Sequence, residues 1–222
     1  MSNNNGEELI VSICCLAYNQ EKYIEKCLLG FLIQKRSFKI EILVHDDAST
    51  DNTVTIIKKY QKQYPEIVKP IFQKENQFSK MSISEIYHKH IYPNVKGKYI
   101  AFCEGDDYWE DVYKLQKQVD ILDNNPDCHM CLHHTKVVNE GGKEMDWGYP
   151  LYKIDTGVLK PYDFLKGLTD GYFFHTTSFL CRTRDIKELV KVLPEYYKSS
   201  DVDDVPLLLY FGQLGASCII QI

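Results

Sequence analysis

Ile10–Ala17 is an unbroken apolar run that stops at the polar turn Tyr18-Asn19-Gln20-Glu21 and gives way to apolar residues at helical spacing. This alternation constrains the fold more than any other feature. A continuous run of that length marks a strand covered on both faces. Ile24, Cys27, Leu28, Phe31 and Leu32 then recur with a helical period. Asn19 is placed to cap that helix and Glu21 to complement its dipole. The unit repeats: Ile40–His45 as strand, Asp46–Thr50 as turn, then Val54, Ile57, Tyr60 and Tyr64 on one helix face until Pro65 stops it. Ile67–Phe72 reads as a third strand. Beyond the polar stretch Gln73–Ser82 and a short helix over Ile83–His90, Tyr99–Cys103 reads as a further buried strand. It empties into Glu104-Gly105-Asp106-Asp107. A helix over Asp111–Leu122 turns Val112, Leu115, Val119 and Leu122 inward and closes at Asn124-Asn125-Pro126. Strands alternating with helices imply an α/β fold of three layers, a mixed, mostly parallel sheet with helices on both faces.

The second half alternates less cleanly. Cys128–Val138 is expected as a strand ending at Gly141-Gly142, Phe173–Cys181 as another, and Asp185–Leu193 and Val205–Gly212 as helices. The sequence closes on the apolar run Cys218–Ile222, which predicts a natural protein that continues further. Its 222 residues suit one domain with a full core. A net charge of -5 leaves no broad electropositive surface, so nucleic acid is not an expected partner. No apolar run approaches the ~20 residues that cross a bilayer, and Met1–Glu8 lacks the basic and apolar parts of an export signal. The cytosol is therefore the expected compartment, and there the eight cysteines are expected as thiols filling the core. Cys128-His129-Met130-Cys131 with His133 and His134 has zinc-like spacing, but no second ligand pair accompanies it, so a buried strand is the better reading.

Ligands of parallel α/β sheets bind beyond the carboxyl ends of the strands. Three such ends here are polar: Tyr18-Asn19-Gln20-Glu21, Asp46-Asp47 and Glu104-Gly105-Asp106-Asp107. A nucleobase N–H suits a carboxylate acceptor, a ribose presents hydroxyls, and a diphosphate needs its charge neutralised. Carboxylates beside a diphosphate repel it unless a hard divalent cation lies between them, so Asp106 and Asp107 imply Mn2+ or Mg2+. Asp46–Thr53 taken alone also fits a turn and helix cap, and Glu104–Asp107 alone fits a capped helix start. Their combination at successive strand ends favours a site.

Val11–Glu21, Glu41–Thr53 and Lys98–Trp109 together resemble the signature segments of glycosyltransferase family 2, whose GT-A fold is Rossmann-like. The resemblance implies nucleoside contacts from Leu16, Ala17, Tyr18, Glu21 and Asp47, with Asp47 accepting from the base. The family's Asp-x-Asp motif corresponds to Glu104-Gly105-Asp106, placing Glu104 on the ribose and Asp106 on the metal, with Asp107 bracing that site or capping the helix. Residues 9–109 then form the nucleotide-sugar-binding half and residues 110–222 the acceptor half. The family's Ala-Arg-Asn stretch is missing; Asn76–Met81 replaces it, with Lys80 the nearby cation for phosphate. The Gln-x-x-Arg-Trp motif of processive synthases is absent too, which favours transfer of one sugar.

The family reaction inverts the anomeric carbon in one displacement, so it requires a base for the acceptor hydroxyl and an electrophile for the departing diphosphate. Asp201, Asp203 and Asp204 precede Pro206 and an apolar helix, where the family carries its base, and Asp204 fits best. His175-Thr176-Thr177 could line the acceptor or phosphate side, or sit satisfied in the core. The implied partners are a nucleotide-diphosphate sugar, UDP-linked by preference, and a carbohydrate or lipid-linked acceptor, the latter at the inner membrane surface. A homodimer is compatible with all of this. A non-catalytic nucleotide-sugar-binding module and a nucleotidyltransferase are the competing readings, the second disfavoured because Leu16–Lys22 contains no glycine.

Overall fold

The computed structural model describes residues 8–150, 155–169, 174–192 and 204–222. The run that opens the sequence forms β1, Leu9–Ala17, and it lies between two parallel neighbours, Lys39–Asp46 (β2) and Tyr99–Phe102 (β4). Val68–Phe72 (β3) extends the parallel set beyond β2. Successive side chains of a strand face opposite sides of the sheet. Val11, Ile13 and Cys15 accordingly pack with Cys27, Leu28 and Phe31 of the first helix, Ile24–Leu32 (α1), while Cys14 joins Tyr87, Ile91 and Ile100 on the other face. Burial of each such aliphatic side chain stabilises the fold by roughly 1.5–3 kcal/mol, and the one polar residue in the run, Ser12, is buried with its hydroxyl bonded to Glu41. Thr53–Gln63 (α2) carries the crossover from β2 to β3.

The expected helix at 83–90 is composite. Ile83–Ile86 (α3) opens with a capping box in which Ser82 and Glu85 satisfy each other's backbone N–H groups. A π-helical turn over Tyr87–Ile91 and a 3-10 turn over Tyr92–Asn94 follow. At Gly97 a β-carbon would lie 2.5 Å from Ser12 N and 2.8 Å from Val11 C, so only glycine lets the chain enter β4 this close to β1.

The remaining elements are Lys114–Asn124 (α4), Cys128–His133 (β5), Thr135–Val138 (β6), Glu144–Tyr149 (β7), Gly157–Leu159 (β8), Pro161–Thr169 (α5), Leu180–Arg182 (β9), Thr183–Val192 (α6), Asp204–Leu214 (α7) and Ala216–Ile220 (β10). The main sheet runs β3-β2-β1-β4-β9-β5-β10-β8, and β6 pairs with β7 in a separate antiparallel ribbon. β9 is antiparallel to both β4 and β5. Its Arg182 is buried and donates to the carbonyls of Cys128, Leu122 and Asn125, joining the sheet to the end of α4. This is the mixed, mostly parallel three-layer arrangement that the alternation predicts.

Several expectations are corrected here. The strand read over 128–138 breaks at His134 into β5 and β6, which belong to different sheets. The strand read over 173–181 is only β9, because a 3-10 turn at Thr176–Ser178 comes first; Phe173 lies outside the described residues. Asn19 does not cap α1. That helix starts one residue after Tyr23 without a side-chain cap, and Asn19 instead adopts a left-handed backbone (φ 52°) and bonds the next strand's loop. The cysteines are not all thiols either. Cys128 of β5 and Cys218 of β10 form a disulfide, with Cα atoms 6.2 Å apart, while six others are free and buried. Two residues separated by 90 positions meet only because β5 and β10 are sheet neighbours, which no local pattern reveals.

Candidate active site

The three polar strand ends are tied to one another through the backbone. Asp47 N donates to Ala17 O (2.9 Å) and Gly105 N to Leu16 O (2.8 Å), so β1 sits between its two partners at the site as it does in the sheet. Side chains complete the join between the first two loops. Asn19 N donates to Ser49 Oγ, Gln20 N to Thr53 Oγ1 and Glu21 N to Asp51 Oδ2, while Asn52 returns two bonds to Glu21 Oε2. Tyr18 projects from this platform, 47% exposed.

Asp47 is buried and holds the segment that follows β3. Its two oxygens accept from Gln77 N (2.7 Å) and Phe78 N (3.0 Å). A carboxylate has about four lone-pair positions, so acceptor capacity remains. Lys80 is paired with Glu75 at 2.5 Å. Beside Asp47, burial raises the Asp46 carboxyl above its usual range against the opposing effect of bonds from Ser49.

The acid loop leaves β4 at Cys103. Gly105 is wedged under β1: a β-carbon there would meet Gln20 Oε1 at 2.1 Å and Leu16 O at 3.1 Å. Glu104 is half-buried, and its carbonyl accepts from Asp107 N (3.1 Å) and Cys27 Sγ (3.4 Å). Asp106 is exposed. Asp107 Oδ2 is buried without a hydrogen-bond partner, 3.4 Å from His175 Nδ1. Burial, and then the adjacent Asp106 charge, pushes the Asp107 carboxyl up to about 7. Neither acid has a lysine or arginine partner among the described residues. A small hard cation that binds through one or two carboxylates and completes its shell with phosphate and water fits this donor set. Among the described residues no group of three or more His, Cys, Asp or Glu side chains could hold an ion without such help.

The turn before β9 closes over the acid loop. Trp109 Nε1 donates to Thr177 O and Oγ1 (3.1 Å each), and Cys103 Sγ lies 3.1 Å from Thr177 Oγ1, so His175 is carried to Asp107. Asp204 is the first residue of α7; its side chain, like Asp201 and Asp203, lies outside the described residues.

Between the acid loop and the β6–β7 ribbon lies a cleft of about 730 Å³. It includes side chains that the sequence did not single out for chemistry, notably Lys114, Trp147 and Tyr149, together with His133. Lys114 is buried over the Trp109 ring (4.0 Å), donates to Gln118 Oε1, and is brought down to about 7 by burial. The one available sequence signal was the Trp147-Gly148-Tyr149 alternation, which puts both rings on one side of a strand.

The model of the family described as Glycosyl transferase family 2 matches residues 12–189. The chain belongs to glycosyltransferase family 2. A putative glycosyltransferase of Bacillus subtilis, EpsE, is 33% identical over 214 residues, covering 96% of this chain and 69% of that protein. An uncharacterized protein of Mycobacterium tuberculosis is 41% identical over 132 residues, 60% of this chain, which spans only 37% of that relative's length. Among solved structures, Staphylococcus aureus TarS 1–349 in complex with UDP-GlcNAc superposes with a TM-score of 0.66 at 20% identity, over 96% of this chain and 56% of that one. The mannosyltransferase PcManGT of Pyrobaculum calidifontis, in complex with GDP-Man and Mn2+, gives 0.64 at 16% identity, over 97% and 57%. These likenesses establish the GT-A fold of the family member.

Proposed function

We propose that this family 2 protein is an enzyme that transfers one sugar from a nucleotide-diphosphate donor, UDP-linked by preference, to an acceptor hydroxyl with inversion. The observation that carries the reading is the acid loop: two adjacent carboxylates, one with a buried unpartnered oxygen, stand at the end of the strand beside the nucleotide-side platform. A buried carboxyl with only His175 Nδ1 beside it, at 3.4 Å, is costly to ionise unless a ligand answers it. The complexes of TarS with UDP-GlcNAc and of PcManGT with GDP-Man and Mn2+ support the same donor chemistry.

In this reading Asp47 accepts from the nucleobase, Tyr18 and the backbone at Leu16 and Ala17 flank it, and Glu21 and Glu104 face the nucleoside and ribose. Gly105 lets the loop lie flat against β1. Asp106 holds Mn2+ or Mg2+, Asp107 braces it, and Lys80 reaches phosphate once released from Glu75. The ion, when bound, stabilises negative charge developing on the departing diphosphate. Asp204 takes the proton of the attacking hydroxyl, with Asp201 and Asp203 as the alternatives for that role. We read residues 1–222 as one domain that works in the cytoplasm on a surface-glycan or polysaccharide precursor, with an inner-membrane-surface encounter where the acceptor is lipid-linked. No helix among the described residues is long and apolar enough to cross a membrane.

Thermal unfolding with UDP, GDP and their sugars, each with and without Mn2+, tests the donor side, because stabilisation follows site occupancy. The expected result is a UDP shift that grows with Mn2+. Absence of any nucleotide shift removes the reading.

A further inference from the structure

Lys114 is a buried amine that neither the β1–β2 platform nor the acid loop uses. It is 1% exposed, so no ligand touches it. No carboxylate acts on it; the titratable groups that face it are Cys103, Cys131 and His133. Burial of an amine without an anion is costly and brings it down to about 7. A methionine of similar length would fill the same space without that cost. What the amine contributes therefore lies in the groups it holds.

Lys114 and Gln118 stand one turn apart on α4, and Lys114 Nζ donates to Gln118 Oε1 at 2.7 Å. Gln118 has one orientation available. Its Nε2 donates to Ser178 O (2.8 Å) and Cys131 O (3.1 Å), carbonyls that only accept, which leaves Oε1 to face the amine. The same Nζ lies 4.0 Å from the centre of the Trp109 ring. Trp109 Nε1 donates in turn to Thr177 O and Oγ1. Lys114, Gln118, Ser178, Thr177 and Trp109 thus close a circuit around the 3-10 turn at 176–178. Ser178 N and Oγ both donate to His175 O, at 2.9 and 2.8 Å, so the circuit fixes where His175 stands. His175 Nδ1 lies 3.4 Å from Asp107 Oδ2, the buried carboxyl oxygen without a hydrogen bond.

We propose that Lys114 is a positioning residue for transfer: through Gln118 and Trp109 it holds the turn at 176–178 so that His175 stays against Asp107. The inference rests on the glycosyl-transfer reading where it concerns rate, and on geometry alone where it concerns His175. Loss of the amine strands Gln118 Oε1 and uncovers the Trp109 face, so the turn shifts against the acid loop. A displacement on the order of 1 Å beside reacting groups costs up to roughly a hundredfold in rate. Nucleotide affinity is spared, because among the described residues the circuit has no bond to Asp47 or to the loops after β1 and β2.

The test uses the full chain, which has two tryptophans. The Trp109 indole N–H is assigned by NMR against Trp147→Phe, and the His175 ring against His175→Ala. Lys114→Met keeps the apolar stem and is expected to move the His175 ring resonance and to speed hydrogen exchange at the Trp109 indole. Turnover is read as UDP released, with Mn2+ and water as acceptor, from whichever of UDP-GlcNAc, UDP-glucose and UDP-galactose wild type hydrolyses fastest. Lys114→Met is expected to lower kcat about ten- to a hundredfold, with donor KM and UDP affinity within about twofold of wild type. Added to His175→Ala, it is expected to lower kcat by no more than about twofold further, because both changes act through one contact. Thr177→Val removes the hydroxyl at the other end of the circuit and is expected to lower kcat about threefold. If Lys114→Met does not fold, the same readouts on Thr177→Val decide, with unchanged signals overturning the proposal. It is also overturned if Lys114→Met leaves the His175 and Trp109 signals or kcat as in wild type, if donor KM rises with kcat unaltered, or if the effects of Lys114→Met and His175→Ala multiply. Failure of wild type to bind UDP or to turn over a donor counts against the donor reading alone, and the two spectroscopic signals then decide this one.

Discussion

The loops after β1 and β2 and the loop after β4 stand side by side at one edge of the sheet, yet they treat their polar groups in opposite ways. In the first pair, Asn19 and Glu21 bond the adjoining loop, Asp46 accepts from Ser49 of its own loop, and Asp47 has both oxygens engaged. Around the second, Asp107 Oδ2, 3.4 Å from His175 Nδ1, and His133 Nε2 are buried without a hydrogen bond among the described residues, as is Gln20 Oε1, which reaches this loop from the first. Satisfied polar groups build a platform that is rigid before any ligand arrives, whereas unsatisfied ones hold free energy that only a ligand can recover. The molecule separates a surface whose polar groups are satisfied from one whose groups are left open.

The largest effect expected on this contrast is at Asp106. Asp106→Ala is expected to lower transfer by about a thousandfold or more and to erase the Mn2+-dependent part of the UDP thermal shift. Retained Mn2+ dependence would place the ion elsewhere. Next comes Asp47→Ala on the satisfied side, which strands two backbone N–H groups and is expected to cost about 2–4 kcal/mol. Amide exchange at Gln77 and Phe78 is the check, and unchanged protection there would break the claim that Asp47 organises its platform.

Gly148→Ala is expected to cost about 1–3 kcal/mol, since the new methyl meets a backbone oxygen rather than a flexible side chain. UDP binding is expected to survive it, because the ribbon lies on the reactive side; loss of both would merge the two regions into one. The smallest effect is a pH dependence in metal-free buffer. Asp107 titrates at about 7 in the fold against an ordinary 3.8. A carboxyl raised by folding favours the fold while protonated. That contribution is complete below 3.8 and is lost as the pH rises through about 7. Asp107→Asn is therefore expected to be more stable than wild type at pH 8 by on the order of 1–2 kcal/mol, with the gain gone at pH 4. Parallel stability curves at the two pH values would refute it.

The first half of the chain was readable because burial on both faces leaves a signature in the sequence: β1, β2 and β4 are largely apolar runs, each ending in a conspicuous polar turn. The acid loop was readable for a related reason, since adjacent acids directly after a buried strand need a compensating partner. β7 left no such trace. Glu144, Met145, Asp146 and Trp147 are all exposed, so no burial pattern runs along the strand and only the Trp147-Gly148-Tyr149 spacing hints at it. The direction of β9, the disulfide between Cys128 and Cys218, and the orphaned nitrogen of His133 depend on which distant segments become neighbours. Local propensity carries no record of that. Glu21 shows the intermediate case, identified for its place at a strand end but found bonded to Asn52.

One consequence follows from the sense in which β9 enters the sheet. Among the parallel strands a residue reaches the ligand edge by coming after its strand, so altering it also disturbs the helix that leads away. β9 runs against its neighbours, and the stretch containing His175 and Thr177 reaches that edge by coming before it. Changes of length or chemistry ahead of Leu180 can reshape what overlooks the acids, while Arg182 keeps the far end anchored to α4. A chain built this way can change what faces the acid loop by editing an approach ramp, with the β1–β2 platform left as it was.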